Sequence, residues 1–287
     1  MSVPQDYLHR PVALIGAGTL GRRVALMFAS RGGLVRIHAR RTEVGAAAAA
    51  FVEQQIEGLA GSHPGWARGR AEHVSRLEDA VADAWLVIES VPERLELKQE
   101  IFAQLESESP RDAILASNSS SYASRLIVDG LSTTDRMLNT HFYMPPTQIA
   151  VDVMSCGNTS QDVLDFILAT FPHYGLRPFL VRRESTGFIF NRIWAAIKRE
   201  ALDVVATGVA TPDDVDEMWK LLFGTEIGPF RAMDRVGLDV VYDIEEHYAA
   251  ENPHLPPGPR ELLRHYIEAG KLGAKTGEGF YADYAKT

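Results

Sequence analysis

A glycine-rich hexapeptide near the start of the chain constrains the fold more than any other feature. It reads GAGTLG at 16–21 and directly follows the apolar segment 12–15. The first glycine permits a tight turn, the second lets a pyrophosphate approach the backbone, and the third lets a helix pack closely on a strand. The N–H groups at the start of that helix then face the phosphates. The segment predicts a dinucleotide-binding turn whose contacts are Gly16, Gly18, Thr19, Leu20 and Gly21.

Short apolar runs alternate with helical patterns through the first two thirds of the chain. We predict strands at 12–15, 34–38, 85–89, 113–117 and 137–141, and helices at 20–30, 43–59 and 95–105. This alternation is typical of βαβ units in a mainly parallel sheet with helices on both faces. From Phe188 onward the periodicity is almost entirely helical. The predicted fold is therefore α/β: a doubly wound Rossmann domain at 1–184, then an all-helical C-terminal domain at 185–287, with the boundary near Ser185.

Composition excludes several classes of function. A net charge of −9 argues against nucleic acid or a membrane surface as a partner, because phosphate binding needs clustered lysine and arginine. Cys156 is the single cysteine, so an intrachain disulfide and a cysteine-rich zinc site are excluded, and we predict no metal. The N-terminal sequence lacks the apolar run of a signal peptide, and no segment has the length of a membrane span. We therefore predict a cytoplasmic protein.

The end of the second predicted strand bears on the choice of cofactor. NAD enzymes place an acidic residue there, which bonds the ribose 2′-hydroxyl. This chain has Ala39 at that point, followed by Arg40 and Arg41. Guanidinium groups suit a 2′-phosphate because they form bidentate, charge-assisted hydrogen bonds. The pattern favours NADP(H), while NAD(H) stays an alternative because Glu43 could reach a 2′-hydroxyl.

Further motifs lie along nearly the whole chain. They are ESVPE at 89–93 with Lys98, SNSSS at 117–121, HFYMP at 141–145, GFIFNR at 187–192, GPF at 228–230 and GKLGAKTGEGFY at 270–281. In order and approximate spacing, this set resembles the 3-hydroxyacyl-CoA dehydrogenase family, including its lambda-crystallin and gulonate dehydrogenase branch.

The resemblance implies a role for individual residues. His141 is implied to be the general base that takes the proton from a substrate 3-hydroxyl, or returns it during reduction. Ser120 and Asn191 resemble the family's polar pair that orients substrate oxygens. The implied contacts at the nicotinamide-ribose end of the cofactor are Glu89, Glu93, Lys98 and Asn118.

The sequence departs from the family pattern at three places. The family pairs its histidine with a glutamate twelve residues downstream, whereas here the nearest match is Asp152, eleven residues after His141. Either a shorter loop brings Asp152 to the same place or the dyad is lost, and we expect the first. Met144 replaces the usual asparagine and makes the pocket more apolar. The segment 43–70 contains no lysine, and Arg68 and Arg70 are its only basic candidates for CoA contacts.

The leading hypothesis is an NAD(P)-dependent dehydrogenase or reductase acting on a small 3-hydroxy or 3-keto acyl substrate, either an acyl thioester or a free acid. One alternative is a biosynthetic reductase of an unusual carbonyl or imine, with Met144 and Asp152 marking a repurposed site. Another is a non-catalytic, crystallin-like nucleotide-binding protein, against which His141, Ser120 and Asn191 argue. The helical domain resembles the family's dimerisation module, so we expect a homodimer.

Overall fold

The computed structural model describes residues 3–284. The chain forms two compact units, and the division falls between Phe188 and Ile189. The boundary predicted near Ser185 lies just before this division.

The first unit is built on an eight-stranded sheet. Its strands are Val12–Ile15 (β1), Leu34–His38 (β2), Arg70–Val74 (β3), Leu86–Glu89 (β4), Ile114–Ser117 (β5), Met137–Met144 (β6), Gln148–Ser155 (β7) and Arg177–Val181 (β8). Their order in the sheet is β3-β2-β1-β4-β5-β6-β7-β8. Neighbouring strands are parallel except β6 and β7, which form an antiparallel pair.

Helices cover both faces of this sheet. They are Thr19–Ala29 (α1), Thr42–Gly61 (α2), Leu77–Val81 (α3), Leu95–Glu108 (α4), Ser124–Ile127 (α5) and Gln161–Thr170 (α6). Alternate residues of β1 enter two different cores: Val12 and Leu14 pack with α1, α2 and α6, whereas Ala13 and Ile15 pack with α3, α4 and α5. A strand buried on both faces is a continuous apolar run, which is why β1 could be predicted from its sequence.

The second unit is helical. Its helices are Phe190–Ala206 (α7), Pro212–Phe223 (α8), Pro229–Val236 (α9), Leu238–Glu251 (α10) and Gly258–Glu268 (α11). Together the two units confirm the predicted architecture of a Rossmann domain followed by a helical domain.

The glycine-rich segment 270–281 wraps around Asp234 at the end of α9. The Asp234 carboxylate accepts hydrogen bonds from the backbone N–H groups of Phe280 and Tyr281, each at 3.0 Å. A Cβ atom on Gly273 or Gly279 would lie 2.2 or 2.1 Å from atoms of Asp234, so neither position accommodates a side chain. Gly273 and Gly279 therefore serve packing within the helical unit.

Candidate active site

The carboxyl ends of adjacent parallel strands lie level with one another. The register aligns five residues across the sheet, namely His38, Ile15, Glu89, Ser117 and Asn139. The loops after β1, β2, β4 and β5 all open at this edge, which is where ligands bind in doubly wound sheets. The edge therefore brings the glycine turn, Arg40, Ser90 and Asn118 to the same side of the unit.

The glycine turn has the geometry that a pyrophosphate requires. Gly16 has φ 116°, a left-handed conformation that favours glycine. A Cβ atom on Gly21 would lie 2.3 Å from the Gly16 carbonyl oxygen, so the third glycine permits the close packing of α1 on the turn. Around Gly18, by contrast, an added Cβ would meet no atom within 4 Å. Gly18 also caps α1 without a side-chain acceptor, so the residues fit a phosphate group at this helix end.

The end of β2 presents two arginines to solvent. Arg40 and Arg41 are both exposed in the loop before α2. The nearest carboxylate contact is Glu43, whose Oε1 lies 3.7 Å from Arg41 Nε, with both side chains about three-quarters exposed. An exposed pair of this kind is weak, so these guanidinium groups are available to a ligand.

Glu89, Glu93 and Lys98 form one ion-pair network. Lys98 Nζ lies 2.8 Å from Glu89 Oε1 and 3.1 Å from Glu93 Oε2. Glu89 also accepts from the Val91 N–H at 2.8 Å and from the Ser117 hydroxyl at 2.7 Å. The Glu89 and Lys98 side chains are 0% and 1% exposed, whereas Glu93 is 35% exposed. Of the three, Glu93 thus has surface for a bound molecule, and the other two fix the β4 loop against α4.

Asn118 ties two strands together at this edge. Its Oδ1 accepts the Phe142 N–H at 2.9 Å and its Nδ2 donates to the Ser90 hydroxyl at 3.1 Å. The amide therefore holds the loop after β4 next to the strand that carries His141.

His141 stands beyond the edge of the parallel strands. The pairing of β5 with β6 ends at Ser117 and Asn139, so His141 lies two residues further along β6, about 6–7 Å past that level. There β6 pairs with β7, and Asp152 is directly opposite His141. The distance from His141 Nδ1 to Asp152 Oδ2 is 3.5 Å, longer than the usual 2.7–3.2 Å of an N–H···O bond. The aspartate is adjacent to the ring, but its contact is loose.

Two aromatic side chains that the sequence did not single out complete the surroundings of His141. Tyr143 donates its hydroxyl to Asp152 Oδ2 at 2.7 Å, and its ring meets the imidazole edge-on. The Phe188 ring stacks on the imidazole with centroids 5.0 Å apart and planes 14° apart. Phe188 has φ 53°, the one positive φ among the described non-glycine residues. The sequence could have indicated the contact of Tyr143 with His141, because residues two apart on one strand share a face. Nothing local in the sequence indicated the conformation of Phe188.

The remaining predicted site residues occupy different parts of the molecule. Ser120 is exposed in the loop after β5, at the same edge as Asn118. Met144 ends β6 and is 39% exposed. Asn191 is the second residue of α7 in the helical unit and is half-buried.

Two kinds of feature are absent from the described residues. Within residues 3–284, no cluster of three or more His, Cys, Asp or Glu side chains could hold a metal ion. None of the described helices combines the length and apolar character of a membrane span.

Two family models together cover most of the chain. Residues 11–185 match the NAD binding domain of 3-hydroxyacyl-CoA dehydrogenase, and residues 187–283 match the C-terminal domain of the same family.

Individual relatives agree with these models. A probable 3-hydroxyacyl-CoA dehydrogenase of Caenorhabditis elegans is 30% identical over 285 residues, which covers 95% of each chain. A 3-hydroxyacyl-CoA dehydrogenase-like protein of Cochliobolus heterostrophus is 44% identical over 154 residues, 52% of this chain but 32% of that longer protein. The crystal structure of (S)-3-hydroxybutyryl-CoA dehydrogenase from Ralstonia eutropha is similar with a TM-score of 0.85 at 29% identity, covering 97% of this chain and 100% of that one.

Proposed function

Because this chain belongs to the 3-hydroxyacyl-CoA dehydrogenase family, we propose that it interconverts a 3-hydroxy and a 3-keto group on a small acyl substrate, with NADP(H) as its preferred cofactor. Family membership makes the chain a nicotinamide-dependent oxidoreductase. The observation that supports the reaction most directly is the His141–Asp152 pair, which stands beyond the strand edge where the glycine turn also opens.

The chemistry of the site follows from these side chains. The bound nicotinamide supplies the hydride acceptor or donor. His141 removes the proton from the substrate hydroxyl during oxidation and returns it during reduction, since imidazole exchanges protons near neutral pH. Asp152 faces Nδ1, so it keeps the proton on that nitrogen and leaves Nε2 for the substrate. Ser120 and Asn191 stay our candidates for hydrogen bonds to substrate oxygens, and Glu93 and Asn118 for the cofactor side.

The preference for NADP(H) rests on the exposed arginines after β2. Replacing Ala39 with Asp and both Arg40 and Arg41 with Gln removes the phosphate contacts and supplies a carboxylate for the ribose 2′-hydroxyl. We expect NADPH to bind the native chain at least about tenfold more tightly than NADH, because charge-assisted hydrogen bonds to phosphate are strong. The triple variant should reverse this order in titration calorimetry. Arg111→Gln is the matched control, since this exposed arginine precedes β5 at the opposite edge. Equal affinities of the native chain for both cofactors would contradict the assignment.

The charge of α2 favours a substrate without CoA. Its charged residues are Glu43, Glu53 and Glu57, and Arg68 in the following loop lies 2.9 Å from Glu53 and 3.9 Å from Glu57. With Arg68 held by these carboxylates, the exposed Arg70 is the remaining basic candidate of segment 43–70, and one arginine beside three glutamates is a weak site for the phosphates of CoA. Free 3-keto acids should therefore be turned over at least as well as their CoA thioesters.

A direct assay tests the proposed reaction. Oxidation of NADPH and NADH is followed with 3-ketoacyl-CoA thioesters, free 3-keto acids and cyclic imines. We expect turnover of 3-keto compounds with NADPH, and loss of that turnover in His141→Ala. Reduction of imines alone would replace the proposal by an imine reductase. Absence of all turnover in a chain that binds NADPH would favour the non-catalytic, crystallin-like alternative.

We also propose that the helical unit forms a homodimer. Helix α8 leaves a contiguous set of large apolar side chains in solvent: Met218, Leu221, Leu222 and Phe223, each 62–77% exposed. A surface of this kind on a globular chain is typical of protein–protein contacts.

A further inference from the structure

One carboxylate oxygen in the candidate site serves two donors at unequal distances. Asp152 Oδ2 is 2.7 Å from the Tyr143 hydroxyl and 3.5 Å from His141 Nδ1. The first distance is an ordinary O–H···O bond, and the second exceeds the usual N–H···O range. The phenol, and not the imidazole, is therefore the firmer partner of Oδ2.

Strand geometry explains how one tyrosine reaches this carboxylate. Asp152 is directly opposite His141 in the β6–β7 pair, and Tyr143 follows His141 by two residues on β6. Side chains two residues apart project on the same face of a strand, and diagonal cross-strand neighbours lie within reach of a long aromatic side chain. The ring contact between His141 and Tyr143, with centroids 4.7 Å apart, places them side by side. A register shift between Phe142 and Met144 adjusts β6 at this point.

The hydrogen bond from the Tyr143 hydroxyl matters because Asp152 is buried. The carboxyl is 3% exposed, so a poorly satisfied carboxylate there would be costly. The O–H group of Tyr143 supplies a hydrogen bond to this carboxylate and at the same time fixes its position. An aspartate held in this way keeps its oxygen next to Nδ1 even though its contact with the ring is long.

We propose that Tyr143 is a positioning residue that acts on His141 through Asp152. The inference rests on the proposed role of His141 in proton transfer. The hydroxyl of Tyr143 holds Asp152, Asp152 holds Nδ1–H, and the stacked Phe188 ring limits tilting of the imidazole. In this arrangement Tyr143 affects the rate and not the binding of substrate or cofactor.

A double-mutant cycle tests the proposal on the NADPH-bound protein. Tyr143→Phe removes one oxygen atom and should lower kcat about tenfold, since hydrogen bonds to charged groups are the stronger ones. KM and NADPH affinity should stay within about twofold of the native values. In an Asp152→Asn background the same change should have no further effect, because the residue through which it acts is already altered. Equal losses in both backgrounds, or a loss confined to KM, would overturn the proposal.

A matched control separates this effect from general loss of a tyrosine hydroxyl. Tyr7 also makes a hydrogen bond, to His173 Nδ1 at 3.1 Å, and its ring contacts Trp85, which precedes β4 at the opposite edge of the sheet. Tyr7→Phe should therefore leave kcat unchanged, and thermal unfolding of both variants shows whether either destabilises the fold.

An NMR measurement, which needs no enzymatic turnover, tests the role of Tyr143 separately from the proposed function. The ¹⁵N shifts of the His141 imidazole, assigned by their absence in His141→Ala, report the ratio of its two neutral tautomers. Tyr143→Phe should change that ratio in the native background but not with Asp152→Asn, and an unchanged ratio refutes the inference.

If His141→Ala keeps full activity, the proposed function fails instead. If His141→Ala is inactive and Tyr143→Phe resembles the native enzyme, only the role of Tyr143 fails.

Discussion

Replacement of Lys98 by methionine should destabilise the protein severely. Lys98 is 1% exposed and neutralises Glu89, which is 0% exposed and lies 2.8 Å away. Methionine keeps the apolar stem and the approximate volume, so the change removes the cation and little else. Glu89 then keeps two neutral donors, the Val91 N–H and the Ser117 hydroxyl, for a buried negative charge. Breaking a buried pair by removing one partner costs about 3–5 kcal/mol.

The size of this loss can be measured by urea unfolding at pH 7. Typical domains have about 5–15 kcal/mol of stability in total, so the midpoint should fall clearly. Because the loss comes from an uncompensated charge, Lys98→Met with Glu89→Gln should recover a substantial part of it. Lys271→Met is the control, since Lys271 pairs with Glu278 at 2.7 Å on the surface and its removal should change little. A loss below about 1 kcal/mol, or no recovery in the double variant, would refute the reasoning.

Three further predictions concern catalysis, assembly and pH. His141→Ala should lower kcat by about 10²–10⁴ with NADPH affinity retained. Asp152→Asn should also lower kcat with NADPH affinity retained, and an unchanged kcat would contradict the dyad. Light scattering at micromolar concentration should give the mass of a dimer, and a monomeric mass would contradict that proposal. Burial lowers the pKa of Lys198 to about 8 from 10.5, so the folded state disfavours its charge. Lys198→Met should therefore stabilise the protein below pH 8, and this gain should shrink as the pH rises to 10.5; a pH-independent difference would argue against it.

The parts of the fold that were predicted correctly are those specified by local physics. The bounds of β1 and β2 match the predicted segments. β1 is a short apolar run that is buried on both faces, whereas β2 alternates the buried Val35 and Ile37 with half-buried residues, and both patterns are typical of strands. The glycine turn was equally predictable, since the roles of its three glycines depend only on the absence of a Cβ atom at a fixed spacing.

The strands at the sheet edges and the outer part of β6 were harder to predict from the sequence. The edge strands β3 and β8 were not among the predicted strands, because each is largely half-buried or exposed, β3 carries several polar residues, and β8 contains Pro178. The predicted strand 137–141 continues in the structure to Met144, because pairing with β7 extends it beyond the end of β5. Such pairing is a property of the assembled sheet.

The sequence by itself determined the Rossmann architecture, the phosphate turn and the arginines after β2, because these depend on residue types at short spacing. Tertiary structure decided how the candidate dyad is held. The 3.5 Å separation of His141 and Asp152, the shared oxygen with Tyr143 and the stack of Phe188 on the imidazole all depend on how strands and a distant turn pack together. Distances of this kind follow from the balance of packing across the whole unit, and differences below one ångström leave no trace in local sequence pattern.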